Sequence, residues 1–237
     1  DENGILFIYD LYENEIDQQY SFHMDGDYEG ITRVGKTLYV LRSDGTLFEI
    51  NPYDSPRSEI KSYITGIPAD NNEGLCYDSK NNRLLIACKG KIGKGSAFKD
   101  KRVIYGFDLE EKKLSSEPIY DFDLKAVKDF AESQKLDIPL KTKKKKGETK
   151  PEPLIKFRPS AICIHPLTHQ LFVLSASDNL LFIFQTDGTL DHIERLNPDI
   201  FYKPEGVSFF DNGDMLISNE AKGKKPTVLK FNYNVEN

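Results

Sequence analysis

An internal repeat of about 45 residues is the sequence feature that most constrains the fold. Four segments share one pattern, in which Glu or Ser is followed by Gly or Ala and then by an aliphatic residue. The first positions of this pattern are Glu29, Glu73, Ser160 and Glu205, which are spaced 44, 87 and 45 residues apart. The middle spacing is about twice the others, so it contains either an extra unit or an insertion. A period of this length is typical of repeat architectures such as solenoids and propellers.

Each repeat unit has the sequence pattern of four short β-strands. The opening segment is followed by a polar turn and by a strand of mostly aliphatic residues, such as residues 38–41 and 171–174. A third strand often follows an Asp-Gly or Asn-Gly type of turn, and a more polar fourth strand ends the unit. Four strands in about 40–45 residues match one blade of a β-propeller. We therefore predict an all-β fold, a β-propeller of about five four-stranded blades, with six blades as the alternative.

The first residues of the chain match a blade only from its third strand onward. Residues 3–9 align with residues 44–50, so the two inner strands of that blade are expected upstream of Asp1. Residues 227–231 match a third strand that no obvious fourth strand follows. We expect that the N-terminal strands of the first blade are missing from this chain, together with any signal sequence.

The long middle spacing is best explained by an insertion at residues 122–157 within one domain that spans residues 1–237. Asp123 is a suitable N-cap for a short helix, because Leu124 and Val127 begin an apolar pattern with helical spacing. The run from Lys141 to Lys146 has the composition of a mobile, solvated loop. A nucleic-acid partner is not expected, because no aromatic residues are interleaved with this run and the chain has a net charge of −6.

Other sequence features restrict the class of protein further. No apolar run approaches the roughly 20 residues that a membrane-spanning helix needs, so no transmembrane segment is expected in this chain. Cys76, Cys88 and Cys163 lie within apolar runs and fit no zinc motif, which predicts small buried hydrophobic residues. We expect the protein to be a monomer.

The repeat also predicts where a functional site would lie. The innermost strand of each propeller blade lines the central channel, so the repeat openings and the exits of the second strands meet at one mouth of that channel. The insertion is expected over the same face, and loops on a rigid scaffold often carry function. The predicted ligand-binding rim consists of Glu2, Glu29, Arg42, Glu73, Lys89, Glu205, Asn219 and Glu220.

The carboxylates of this rim suggest a metal site. Clustered carboxylates repel one another unless a cation neutralises them, and oxygen ligands without His or Cys suit Ca²⁺ or Mg²⁺ better than zinc. The candidate ion is Ca²⁺ and the candidate ligands are Glu29, Glu73 and Glu205. A structural alternative stays open, in which each Glu accepts backbone N–H groups and each Gly permits close packing near the channel axis.

Several of these motifs resemble those of a known family. The segments are Gly-Asp-Tyr-Glu-Gly-Ile at 26–31, Leu-Tyr-Val-Leu-x-Ser-Asp-Gly at 38–45, Asn-Glu-Gly-Leu at 72–75 and Lys-Pro-Glu-Gly-Val at 203–207. Outside the insertion, the chain is similar to the SdiA-regulated (YjiK-like) β-propeller proteins. The resemblance implies an exported bacterial propeller of the periplasm or cell envelope, with a membrane anchor in the missing N-terminus as an option. It implies no particular reaction.

The architecture is also distantly similar to calcium-dependent propeller hydrolases, such as gluconolactonase-like lactonases and β-propeller phytases. Those enzymes hold a metal at the channel mouth with oxygen ligands. In this chain Ser160 interrupts the series of carboxylates, and no residue can be assigned as a catalytic base.

Three functions remain open on this basis. The preferred one is a non-enzymatic binding module of the cell envelope, whose rim holds a small anionic ligand or a protein loop around Ca²⁺. The second is a calcium-dependent hydrolase of a lactone or phosphoester, in which the ion polarises the substrate and a rim carboxylate acts as general base. The third is a structural or interaction propeller without a metal. The sequence contains no nucleophile elbow, P-loop or His-Glu-x-x-His motif, which favours binding over catalysis.

Overall fold

A computed structural model of the protein describes residues 3–95, 98, 100–145, 148–221 and 223–234. Antiparallel β-sheets follow one another around a ring, and the described residues include one short helix. The predicted all-β propeller fold is therefore confirmed. We number the sheets of the ring as blades 1 to 5 in chain order.

Blade 1 contains two described strands, whereas blade 2 contains four. The strands of blade 1 are β1 (Ile5–Asp10) and β2 (Glu15–Ser21). Those of blade 2, from the channel outward, are β3 (Tyr28–Val34), β4 (Thr37–Arg42), β5 (Thr46–Asn51) and β6 (Glu59–Ile64). β1 and β2 correspond to β5 and β6, as the alignment of the two segments predicts. Gly4 and Gly45 each have a positive φ, in the turn that precedes the corresponding strand.

Blade 3 has a divided outer strand and leads into the insertion. Its strands are β7 (Asn72–Asp78), β8 (Arg83–Cys88), β9 (Lys101–Asp108), β10 (Lys113–Leu114) and β11 (Tyr120–Asp123). Both β10 and β11 pair with β9. The helix α1 (Leu124–Ser133) then begins as predicted, because the Asp123 side chain accepts a hydrogen bond of 2.7 Å from the Lys125 backbone N–H.

The Lys-rich segment differs from the prediction. Instead of a solvated loop, most of it forms β12 (Leu140–Lys145), which pairs with β13 (Glu148–Pro153). The register places Lys141 opposite Glu152, so unlike charges face each other near one end of the hairpin. The prediction of a loop rested on the composition of the Lys-rich run alone. The pairing of β12 with β13 also depends on the residues that follow the turn, so that composition could not show it. Lys146 lies outside the described residues.

Blades 4 and 5 complete the described ring. The strands of blade 4 are β14 (Ala161–Ile164), β15 (Leu171–Ser175), β16 (Leu180–Phe184) and β17 (Leu190–Arg195). The strands of blade 5 are β18 (Pro204–Phe209), β19 (Met215–Asn219) and β20 (Thr227–Phe231). Within the part of the chain that the structure describes, no fourth strand follows β20, as predicted.

The core lies between consecutive blades. Each strand turns alternate side chains to opposite faces of its sheet, so every blade offers apolar residues to both neighbours. The inner strands pack in the order β3 on β7, β7 on β14 and β14 on β18. The helix α1 buries Leu124 and Val127 in the core between blades 3 and 4. Among the cysteines, Cys76 and Cys88 are buried as predicted, whereas Cys163 is partly exposed.

One negative finding concerns membranes. In residues 3–95, 98, 100–145, 148–221 and 223–234, no helix is long and apolar enough to cross a bilayer.

Candidate functional site

A cavity of ≈ 350 Å³ lies between the inner strands of the ring. Its lining includes the side chains of Glu29, Glu73 and Glu205, which are the three predicted metal ligands. The remaining lining is mostly apolar and comes from Ile31, Leu75, Ala161, Ile162, Val207, Leu216 and Val228, with the small residues Gly30, Gly206, Ser208 and Ser218. The structure therefore brings the three carboxylates to one cavity, as the repeat predicts.

A β-bulge sets the direction of each of these three side chains. The pairing of each inner strand with its neighbour shifts by one residue, and the residue at the shift is Glu29 in blade 2, Glu73 in blade 3 and Glu205 in blade 5. A bulge leaves its extra residue out of the regular alternation and redirects its side chain. In blade 4 the strand begins at Ala161, after Ser160, and its pairing with β15 shows no shift. The Glu-Gly pattern thus marks a bulge at the channel.

Glu73 is the most deeply buried member of the group. Its exposed fraction is 3%, and one carboxylate oxygen, Oε1, forms an ion pair of 2.5 Å with Lys89 Nζ. The Asn71 side chain donates a hydrogen bond of 3.1 Å to the same oxygen. The other oxygen, Oε2, is buried and has no hydrogen-bond partner among the described residues. A buried carboxylate oxygen without a partner costs free energy, so a cation or hydrogen-bond donor beside this atom would be stabilising.

Glu29 and Glu205 are half-buried and have perturbed acidities. Burial, followed by the negative charges of Glu73 and Asp27, raises the pKa of Glu29 to about 7, and Lys89 partly opposes the increase. Burial also raises the pKa of Glu205, and the positive charge of Lys89 partly opposes this increase as well. The single ammonium group of Lys89 thus acts electrostatically on both carboxyl groups and pairs directly with Glu73. It does not fully compensate for their charge.

The backbone around Lys89 fixes its position next to Glu73. It directly follows the last residue of β8, and its N–H and that of Gly90 each donate a hydrogen bond of 3.0 Å to the Asn71 carbonyl. These bonds join the exit of the second strand to the opening of the first strand in blade 3. They explain why Lys89, at the exit of the second strand, contacts Glu73, at the opening of the first strand.

Arg42 and Glu220, two other charged residues of the predicted rim, have ion-pair partners of their own. Arg42 forms a two-pronged contact with Asp44, with distances of 3.1 Å and 2.7 Å, at the turn after β4. Glu220 contacts Lys203, whose Nζ is also 3.6 Å from Glu205. Lys203 thus links two predicted rim residues but was not itself predicted to belong to the rim. Its position two residues before Glu205 in the repeat segment was the available signal.

Two polar residues near the rim have mainly structural contacts. Asn219 is 3% exposed, and its side-chain N–H₂ donates to Thr227 Oγ1 at 3.0 Å and to the Ile200 carbonyl at 3.4 Å. Ser160 takes the place of Glu in blade 4, and its hydroxyl contacts the Pro204 carbonyl of the next blade at 3.1 Å. The prediction for Glu2 lies outside the described residues.

The same geometry bears on the metal prediction. Among the described residues, no group of three or more His, Cys, Asp or Glu side chains is arranged to hold a metal ion. The Lys89 ammonium already pairs with Oε1 of Glu73, so it competes with any cation that would bind both oxygens of this carboxylate. A metal could bind to the three carboxylates only after Lys89 moves aside and their side chains converge.

Comparisons with known proteins support the fold alone. No protein-family model and no curated protein matches the chain. A protein of unknown function from Bacteroides caccae is similar in structure, with a TM-score of 0.50 and 12% identity over 98% of this chain and 71% of that chain. A virginiamycin B lyase from Staphylococcus aureus is also similar, with a TM-score of 0.46 and 12% identity over 90% of this chain and 55% of that chain. At 12% sequence identity, the similarity to the Bacteroides caccae protein supports the β-propeller fold and indicates nothing about activity.

Proposed function

We propose that the protein is a binding module whose ligand site is the carboxylate-lined cavity of the propeller. The observation that carries the proposal is the buried Glu73 oxygen Oε2, which has no hydrogen-bond partner within the described part of the chain. Glu29 and Glu205 line the same cavity, so a cation placed there would interact with three carboxyl groups. Such a cation would satisfy the Glu73 oxygen and offset the repulsion between the three groups.

Ca²⁺ is the cation that we propose. The available ligands are hard carboxylate oxygens, which Ca²⁺ accepts in flexible geometries. Binding requires Lys89 to turn away, and its side chain is 24% exposed, so the ammonium group has access to solvent. Binding also displaces the proton of Glu29, whose pKa is about 7. The bound ion and the displaced Lys89 would together attract a small anionic ligand or an acidic loop of a partner protein.

Thermal unfolding in EDTA and in excess Ca²⁺ tests this proposal. A ligand that binds only the folded state at about a hundredfold excess over its Kd stabilises the protein by about 2.7 kcal/mol. For a chain of this size, that corresponds to an increase in Tm of roughly 5–10 °C. We expect this increase for the wild type, its loss in Glu73→Gln and a smaller increase in Glu205→Gln.

Glu13→Gln is the matched control, because Glu13 is exposed in the turn between β1 and β2, far from the cavity lining. It should keep the full response to Ca²⁺. An unchanged Tm of the wild type at millimolar Ca²⁺, about 1–10 mM, would contradict the calcium site. The Glu-Gly pairs would then be explained by blade architecture alone.

A calcium-dependent hydrolase of lactones or phosphoesters is the second candidate. The observation in its favour is Glu29, a half-buried carboxyl group in the cavity that bound Ca²⁺ would keep ionised and that could then accept a proton as a general base. A screen of lactone and phosphoester substrates with added Ca²⁺ tests it. Activity that persists in Glu29→Gln would exclude this residue as the base.

We also propose, from the sequence resemblance, that the protein is an exported, monomeric member of the SdiA-regulated (YjiK-like) propellers of the periplasm or cell envelope. Nucleic acid is not among the proposed partners, because the chain carries a net charge of −6. Fractionation of cells that produce the full-length protein, followed by sedimentation of the purified protein, tests location and oligomeric state.

A further inference from the structure

The cavity between the inner strands contains more negative than positive charge. Its three carboxyl groups have two ammonium groups near them. Lys89 forms an ion pair of 2.5 Å with Glu73, whereas Lys203 lies 3.6 Å from Glu205 but is shared with a second carboxylate at the rim. Burial and the negative charge of Glu73 raise the pKa of Glu29 to about 7. The cavity therefore favours a further cation.

The buried side-chain polar atoms that lack partners are all acceptors. Within the described part of the chain they are four oxygens, Asn71 Oδ1, Asn72 Oδ1, Glu73 Oε2 and Asn219 Oδ1. The Asn71 amide nitrogen donates to Glu73 Oε1 at 3.1 Å, which identifies Oδ1 as the oxygen of that amide. Asn71 and Glu73 thus lack a hydrogen-bond donor, which an anion would not supply.

Only one oxygen of Glu73 is available to a ligand. Oε1 already accepts from Lys89 and Asn71, whereas Oε2 has no partner among the described residues. The last torsion of a Glu side chain is soft, so Oε2 can turn towards a ligand in the cavity that Glu73 lines. A guanidinium group binds a carboxylate best through both oxygens, whereas an ammonium group is a compact charge with three donors. The available acceptor therefore suits an ammonium group.

The same cavity offers apolar surface that an inorganic ion does not cover. Ile31 and Val228 belong to its lining and are 55% and 51% exposed, and the lining also includes the buried side chains of Leu75 and Ile162. The volume of ≈ 350 Å³ lies near the lower end of the range for small-molecule sites, about 300–1,000 Å³. Removing apolar surface from water stabilises a complex. The lining therefore suits a cation with a short hydrocarbon part.

We propose that the cavity binds a small primary alkylammonium ion, whose ammonium group donates a hydrogen bond to Glu73 Oε2 and whose hydrocarbon part covers Ile31 and Val228. Glu29 and Glu205 line the same cavity and attract the ammonium group electrostatically. Lys89 keeps its ion pair with Oε1 of Glu73, so this ligand does not require the movement of Lys89 that Ca²⁺ requires. The inference rests on the proposed binding function of the cavity but not on Ca²⁺, which competes for the same carboxylates.

Titration calorimetry with a series of linear alkylammonium ions, from methylammonium to hexylammonium, tests the proposal. The titrations are made in EDTA at about pH 8, where Glu29 is mostly ionised. We expect Kd to fall by about twofold to fourfold for each added methylene, because each one removes more apolar surface from water. A Kd that does not depend on chain length would contradict the contact with Ile31 and Val228.

Three ligands of similar length separate the contributions of charge and hydrogen bonding. Hexyltrimethylammonium has the charge but no N–H donor, hexanol has no charge, and hexanoate has the opposite charge. Each should bind at least about tenfold more weakly than hexylammonium, because a hydrogen bond to a charged group contributes that much or more. Equal binding of hexyltrimethylammonium would overturn the hydrogen bond to Glu73.

Two variants place the ligand at this cavity. Glu73→Gln should weaken hexylammonium binding by about tenfold or more. Ile31→Ser should reduce the gain for each methylene and leave methylammonium binding unchanged, and it is not expected to prevent folding because Ile31 is exposed. The matched control is Ile64→Ser, at an 89% exposed position on β6 that is not part of the cavity lining, and it should keep the wild-type dependence on chain length. If Glu73→Gln does not fold, the comparison of Ile31→Ser with Ile64→Ser decides.

Failure of this inference can be distinguished from failure of the calcium site. No heat of binding with hexylammonium at about 10 mM, together with a Tm that Ca²⁺ raises, would overturn the alkylammonium site alone. Binding of hexylammonium in EDTA, together with a Tm that Ca²⁺ leaves unchanged, would support the alkylammonium site and contradict only the calcium site. Where both cations bind, saturating Ca²⁺ should weaken hexylammonium binding. Undiminished binding would show that the two do not share the carboxylates and would overturn the proposal.

Discussion

At the scale of single residues, Glu29 makes folding sensitive to pH. Its folded-state pKa is raised from 4.5 to about 7, so between these values the folded protein binds more protons than the unfolded chain. Stability should therefore be highest below about pH 4.5, as far as this group is concerned, and should fall as the pH rises towards and through about pH 7. We expect Glu29→Gln to reduce this fall between about pH 5 and about pH 8, measured as Tm against pH.

Glu13→Gln is again the control and should preserve the wild-type profile, because Glu13 is exposed in a turn. Burial also raises the pKa of Glu205, so part of the pH dependence should remain in Glu29→Gln. A profile for Glu29→Gln that coincides with that of the wild type would show that Glu29 is not the group responsible.

At the scale of secondary-structure elements, the sequence predicts the strands better than it predicts the bulges in their pairing. Alternating apolar residues and Gly-containing turns are local signals, so blades 2 and 4 and the helix α1 could be predicted. The bulges at Glu29, Glu73 and Glu205 could not, because a bulge is defined by the register with a neighbouring strand. The hairpin β12–β13 was missed for the same reason, since its pairing involves both of its strands.

The candidate site was predictable to a similar degree. The repeat placed Glu29, Glu73 and Glu205 at equivalent positions, and equivalence in a ring implies proximity to the channel. The contact between Lys89 and Glu73 depends on side-chain conformation as well as on the backbone bonds to Asn71. The sequence alone therefore identified the charges of the site but not which of them neutralise one another.

At the scale of the whole molecule, adjacent blades are also linked by polar contacts outside the channel. Lys112, in the turn between β9 and β10 of blade 3, forms an ion pair of 2.5 Å with Glu49 on β5 of blade 2. Its ammonium group lies 5.3 Å from the ring centre of Tyr39 and 5.4 Å from that of Tyr63, and both phenols donate hydrogen bonds to Glu49. A partly buried cation with an anionic partner and two aromatic rings contributes more than an exposed ion pair.

We therefore expect Lys112→Met to lower the free energy of unfolding by about 1–3 kcal/mol, because it leaves the Glu49 carboxylate without its cation. Urea unfolding of Lys112→Met, Glu49→Gln and the double variant should give a coupling energy of about 1 kcal/mol or more. Lys101→Met is the matched control, since Lys101 pairs with Asp121 at 2.5 Å while their side chains are 46% and 45% exposed. That substitution should destabilise the protein much less than Lys112→Met. Equal effects of the two substitutions would mean that the contact between blades 2 and 3 depends on apolar packing alone.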